Sequence, residues 1–134
     1  MTISWTSLAV ALVAAVGASI IDWLFGGVLF HDRYLTYPEI WRRPRGGPGE
    51  ARAVANSAAV NLLTPVVFVW LGATFRLGTG QAFLLAVAVW LIAAVPILLT
   101  QHFFVRLDPL VTASHTAGWL VKLLFCAAVL AFFF

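Results

Sequence analysis

Charge is what this sequence has least of. Eight Lys and Arg and five Asp and Glu make up 10% of 134 residues, whereas 63% are hydrophobic. A small soluble domain carries about 25% charged residues and covers much of its surface with polar groups. Thirteen charged side chains cannot do that, which excludes a water-soluble globule and an intrinsically disordered chain. A net charge of +3 is too weak for a phosphate-tracking surface, so no nucleic-acid partner is expected. Cysteine is almost absent. Cys126 stands alone, which rules out an intramolecular disulfide and a thiolate zinc site. His31, His102 and His115 offer no pair at i, i+3 or i+4 on one helix, so no metal site is read from them. Gly46-Gly47-Pro48-Gly49 lacks the Lys-Ser/Thr of a phosphate loop, and there is no nucleophile elbow. No cofactor is specified.

What remains is apolar sequence in long runs, the composition of an integral membrane protein. A bilayer core of about 30 Å takes around 20 apolar residues in helix, because no backbone polar group can go unpaired in lipid. Four segments meet this, at about 3–30, 53–75, 81–100 and 110–134. The first is interrupted by one charge, Asp22. With no basic residue before Asp22 and too long an apolar stretch, it reads as a retained helix rather than a signal peptide. The expected fold is all-α: one transmembrane domain over 1–134, an integral membrane four-helix bundle of antiparallel up-down topology. Arg76-Leu77-Gly78-Thr79-Gly80 is a tight turn, which makes the second and third helices a hairpin. Gln101 to Pro109 reads as a medium loop, with Asp108-Pro109 opening the fourth helix.

The link between the first two helices, roughly His31 to Arg52, is long and interfacial. It holds three of the six prolines, and its Arg42-Arg43-Pro44-Arg45-Gly46-Gly47-Pro48-Gly49 run cannot be helix. Tyr34, Tyr37 and Trp41 mixed with Arg33 and Arg42 suit a segment at headgroup level. Six arginines lie in the first and third links, at 33, 42, 43, 45, 52 and 106, against Arg76 on the other side. That asymmetry puts these links in the cytoplasm and both termini outside.

Intramembrane polar residues collect at one end. Asp22 lies late in the first helix, Asn56, Ser57, Asn61 and Thr64 early in the second, Thr100, Gln101 and His102 at the end of the third, and His115 and Lys122 early in the fourth. Ser57, Asn61 and Thr64 share a helical face, as do His115, Trp119 and Lys122. A charge facing lipid costs at least ~2.5–3.5 kcal/mol, so these faces are expected to turn inward with Asp22 and Lys122 as the natural pair. The candidate pocket residues are Asp22, Asn56, Asn61, His102, His115 and Lys122. The plainer reading of each is structural: an ion pair fixing register, amides gluing helices together, and His102 facing headgroups. Pro65 and Pro96 read as tolerated kinks.

Trp23-Leu24-Phe25-Gly26-Gly27-Val28-Leu29-Phe30, Trp90 through Pro96 and Leu98-Leu99-Thr100-Gln101-His102-Phe103-Phe104, followed by an uninterrupted last helix, carry a resemblance. The sequence resembles the small bacterial membrane family catalogued as domain of unknown function 1761. The resemblance implies a four-helix layout and no particular activity. Asp22 departs from it, standing where an apolar or small residue is usual.

These features lead to a small polytopic membrane protein with a one-sided intramembrane polar pocket, handling a small solute or ion as a homo-oligomer. The alternatives are a membrane-embedded enzyme using acid/base residues on a lipophilic substrate, and an accessory subunit of a membrane assembly. The expected partners are the lipid bilayer, other copies of the chain, and a small-solute or lipophilic ligand.

Overall fold

The structure, a computed structural model, describes residues 5–42 and 46–134. Arg43, Pro44 and Arg45 of the glycine- and proline-rich run, and the first two residues of the span expected from Ile3, lie outside the described residues. Every regular element among the described residues is helical. Helix α1 (Trp5–Trp23) continues into a π-helical turn, Leu24–Leu29; α2 (Glu50–Asn61) and α3 (Leu63–Phe75) follow one another with a break at Leu62. Helices α4 (Thr79–Val89) and α5 (Val95–Phe104) are joined by a π-helical turn at Trp90–Ala94, and α6 (Pro109–Phe133) runs unbroken. They make four helical stretches of 25 or 26 residues, each long and apolar enough to cross a membrane. This is the architecture of an integral membrane protein, and its large exposed side chains fit that medium. Ile92 and Leu84 are 76% and 70% exposed, positions that lipid would cover.

Local chemistry explains where the stretches start and stop, and corrects several expected boundaries, the fourth stretch running Pro109–Phe133 rather than 110–134. The second begins at Glu50 rather than Ala53, because Gly49 supplies a left-handed φ of 85° ahead of it and Glu50 Oε2 accepts from the Gly46 N–H at 2.6 Å. The third begins at Thr79 rather than Gln81, with Gln81 Oε1 accepting from the Gly78 N–H at 3.0 Å. It also runs on to Phe104, so the expected loop from Gln101 shrinks to Val105–Asp108. There Asp108 caps α6 through the Leu110 N–H at 2.8 Å, with Pro109 in the first turn. The first ends at Leu29, one residue early. Arg76, the one non-glycine residue with positive φ among those described, closes α3, and Leu77 N–H donates back to the Gly72 carbonyl.

The prolines act as predicted, by local distortion. Pro65 has no N–H to offer the Asn61 carbonyl four residues back, and its ring crowds that carbonyl. The helix accordingly breaks at Leu62. Ahead of Pro96 the strain is taken up by the π-helical turn, in which the Val95 N–H reaches the Trp90 carbonyl.

Helix α6 is the hub, packing on α1, α3, α4 and α5. The core gathers small residues, Ala14, Ala82, Ala86 and Ala127, around Val10, Phe68, Val69, Leu123 and Leu130. Close approach comes from glycine: a Cβ on Gly17 would overlap the Phe125 ring, and one on Gly72 would overlap Leu130. Helix α2 stands apart. None of its residues is buried, and it packs on its own continuation α3.

Candidate functional site

The ion pair forms. Lys122 Nζ donates to both carboxylate oxygens of Asp22, at 2.9 and 3.0 Å, joining α6 to the end of α1. The two partners are not equivalent. Lys122 is 1% exposed, while the Asp22 side chain keeps 31% of its surface. The ammonium also lies 4.0 Å from the centroid of the Trp119 ring, one helical turn earlier. Two hydrogen bonds and a cation–π contact account for its three N–H groups. The carboxylate, having accepted one bond on each oxygen, retains free lone pairs on its exposed edge.

That edge faces a cleft of about 500 Å³. Helix α1 and its π-helical turn contribute Ser19, Asp22, Trp23 and Gly26; α6 contributes Ser114, His115, Trp119 and Lys122; α2 closes the opposite wall with Val54, Ser57, Ala58 and Asn61. The roof is Tyr34, from the link. A 3₁₀ turn, His31–Leu35, folds this residue down onto α6, where its hydroxyl meets His115 Nε2 at 2.7 Å. The Trp41 indole N–H holds the Tyr34 carbonyl at 2.8 Å, and the two rings pack with centroids 5.5 Å apart. The π-helical turn leaves the Phe25 carbonyl pointing across to α6, where the Ser114 hydroxyl donates to it at 3.3 Å. Four chain segments thus line the cleft, and α2, which buries none of its residues, forms its loosely packed wall.

Of the six residues expected here, Asp22, Asn61, His115 and Lys122 line the cleft. Asn56 does not: it is exposed on a different face of α2. Neither does His102, whose Nδ1 contacts the Thr112 hydroxyl at 3.1 Å and ties α5 to α6. The expected inward turn of the Ser57 and Asn61 face is partial, since Ser57 lines the cleft yet stays exposed. One chain alone frames this cleft.

Sequence reasoning missed Tyr34, which it placed among headgroups. Tyr34 is the link's buried aromatic, 6% exposed. One signal was available: Tyr34 and Trp41, seven residues apart, bracket a proline-containing segment that can fold back on itself. Asp22, His31, His115, Tyr34 and Lys122 give the cleft both proton donors and acceptors. Among the described residues, no three His, Cys, Asp or Glu side chains gather in a group able to hold a metal ion. No protein-family model, curated protein or solved structure matches the chain.

Proposed function

We propose that this is a small polytopic membrane protein, an antiparallel four-helix bundle, that receives a small hydrogen-bond-donating solute or head group in its one-sided polar cleft. The half-exposed state of the ion pair carries this reading. Lys122 is buried and fully engaged, so an anion arriving in the cleft meets no available ammonium. Asp22 presents the acceptor edge of a carboxylate, which suits an ammonium or a hydroxyl. Asn61, Ser57 and His115 stand around it as secondary partners. The arginine asymmetry opens the cleft to the cytoplasmic side of the membrane, which the resemblance implies is a bacterial inner membrane. Beyond the cleft the core is closed by Val10, Phe68 and Leu130. Passage across the whole bilayer would therefore run between copies of the chain in a homo-oligomer. The resemblance to domain of unknown function 1761 agrees with this layout and adds no activity.

The test is a titration in phosphatidylcholine nanodiscs, read by tryptophan fluorescence, since Trp119 lies against the pair. Ethylammonium is expected to bind saturably, and acetate and inorganic phosphate are not. The double variant Asp22→Asn/Lys122→Met removes both charges of the pair together and is expected to lose ethylammonium binding while remaining folded. Equal binding of the anions, or an unaltered titration in the double variant, would overturn the assignment.

A further inference from the structure

The cleft does not end at its polar walls. A second hollow of about 420 Å³ lies along α1 and shares two lining residues with the cleft, Ser19 and Trp23. Its other walls include Leu12, Val16 and Ile20, with Leu62 contributed by the break between α2 and α3. Leu12, Val16, Ser19 and Trp23 recur every three or four residues, so they form one strip on α1. From Trp23 back to Leu12 that strip rises about 16 Å at 1.5 Å per residue. Ser19, the one hydroxyl along it, donates to the Ala15 carbonyl at 2.9 Å and so offers the groove no donor. The strip is also open on its flank: Leu12, Val16, Ile20 and Trp23 are 66%, 53%, 57% and 64% exposed.

Resting on the head-group reading above, we infer that the ligand is an amphiphile with one apolar chain and an ammonium or hydroxyl head. Its head meets Asp22, and its chain lies along the Leu12–Trp23 strip against Leu62. Polar cleft and apolar groove join end to end with Trp23 at the junction, so a molecule already in the bilayer reaches Asp22 without first entering water. Lipid tails are as apolar as the groove, so the chain adds little driving force for leaving the membrane. Its contribution is positional, since it holds the head at the depth of the carboxylate. A wholly water-soluble ligand would have no use for the groove.

The probe is dodecylammonium carrying a diazirine near the chain terminus, photolysed with the protein in phosphatidylcholine nanodiscs and mapped by mass spectrometry. Label is expected on Leu12, Val16 and Leu62 in excess over Leu84 and Ile92, which are exposed but do not line the groove, and unlabelled dodecylammonium is expected to compete it out. Removing the carboxylate in Asp22→Asn/Lys122→Met is expected to lower the groove label about tenfold, as for loss of a charge-assisted hydrogen bond. Val16→Trp, which fills the groove at an exposed position, is expected to abolish the label at Leu12 yet leave ethylammonium binding unchanged. Label spread evenly over lipid-facing residues, with ethylammonium binding intact, would overturn the groove while sparing the head-group reading. Groove label that is indifferent to loss of Asp22 would overturn the head-group reading instead.

Discussion

The two halves of the molecule are built on opposite principles. In the half remote from the long link, Val10, Ala14, Phe68, Val69, Ala82, Ala86 and Leu130 pack into one core, and helices approach to where glycine alone fits. In the half beside the link, α2 buries none of its residues, the first helix loosens into a π-helical turn, and a cleft opens beside a half-exposed ion pair. Dispersion between small, interlocking residues holds the first half together, since lipid offers no hydrophobic drive for helix association. The second half gives up packing for polar groups with specific partners. Stability and chemistry are thus assigned to different ends of the same helices, and substitutions should separate them.

The largest effect is expected at the ion pair. Asp22→Asn alone leaves Lys122 buried and short of its partner, and should cost about 3–5 kcal/mol in unfolding from mixed micelles. Asp22→Asn/Lys122→Met should recover most of that loss. A double variant as unstable as the single one would mean that the pair itself supplies net stability in this half.

Glycine substitution compares the halves directly. Gly72→Val meets Leu130 in the core and should cost about 1–3 kcal/mol by the same measurement. Gly26→Ala, whose added Cβ would lie 3.7 Å from the Tyr34 hydroxyl, should be neutral. Equal costs at both sites would remove the distinction in packing.

Pro65→Ala returns a donor to the Asn61 carbonyl and should straighten the second stretch. Spin labels at Val54 and Ala117 are expected to report a changed distance across the cleft, accompanied by weaker ethylammonium binding. An unchanged distance would show that the break at Leu62 has a cause other than the proline.

The smallest effect belongs to the roof. Trp41→Phe deletes the indole N–H that holds the Tyr34 carbonyl at 2.8 Å, a loss of about 0.5–1.5 kcal/mol. It should be visible as faster amide exchange over His31–Leu35, with α3 and α4 unaltered.

Much of this was legible beforehand because the bilayer imposes simple rules. The four apolar stretches, the Asp108-Pro109 start of α6 and the partnership of Asp22 with Lys122 follow from backbone satisfaction in lipid and from the cost of a lone charge there. Asn56 and His102 illustrate the limit. Membrane depth can be counted along a sequence, and both residues do lie at the cleft's end of their helices. Facing depends on how each helix is rotated and bent. Helix α2 buries none of its residues and packs chiefly on its own continuation α3, so Asn56 is left exposed. Extension of α5 to Phe104 sets His102 against Thr112.

Sequence alone determined the medium, the number of long apolar helices and the end at which polar residues collect. Each of these depends on composition and on spacing along one chain. Tertiary structure alone decided that Lys122 is buried while Asp22 keeps an open edge, that Tyr34 roofs the cleft, and that an apolar groove runs into it at Trp23. Those features arise between segments up to 100 residues apart, where the break in one helix and the fold of one link set the distances. No local pattern encodes such a distance, because it is the sum of packing choices made along the whole chain.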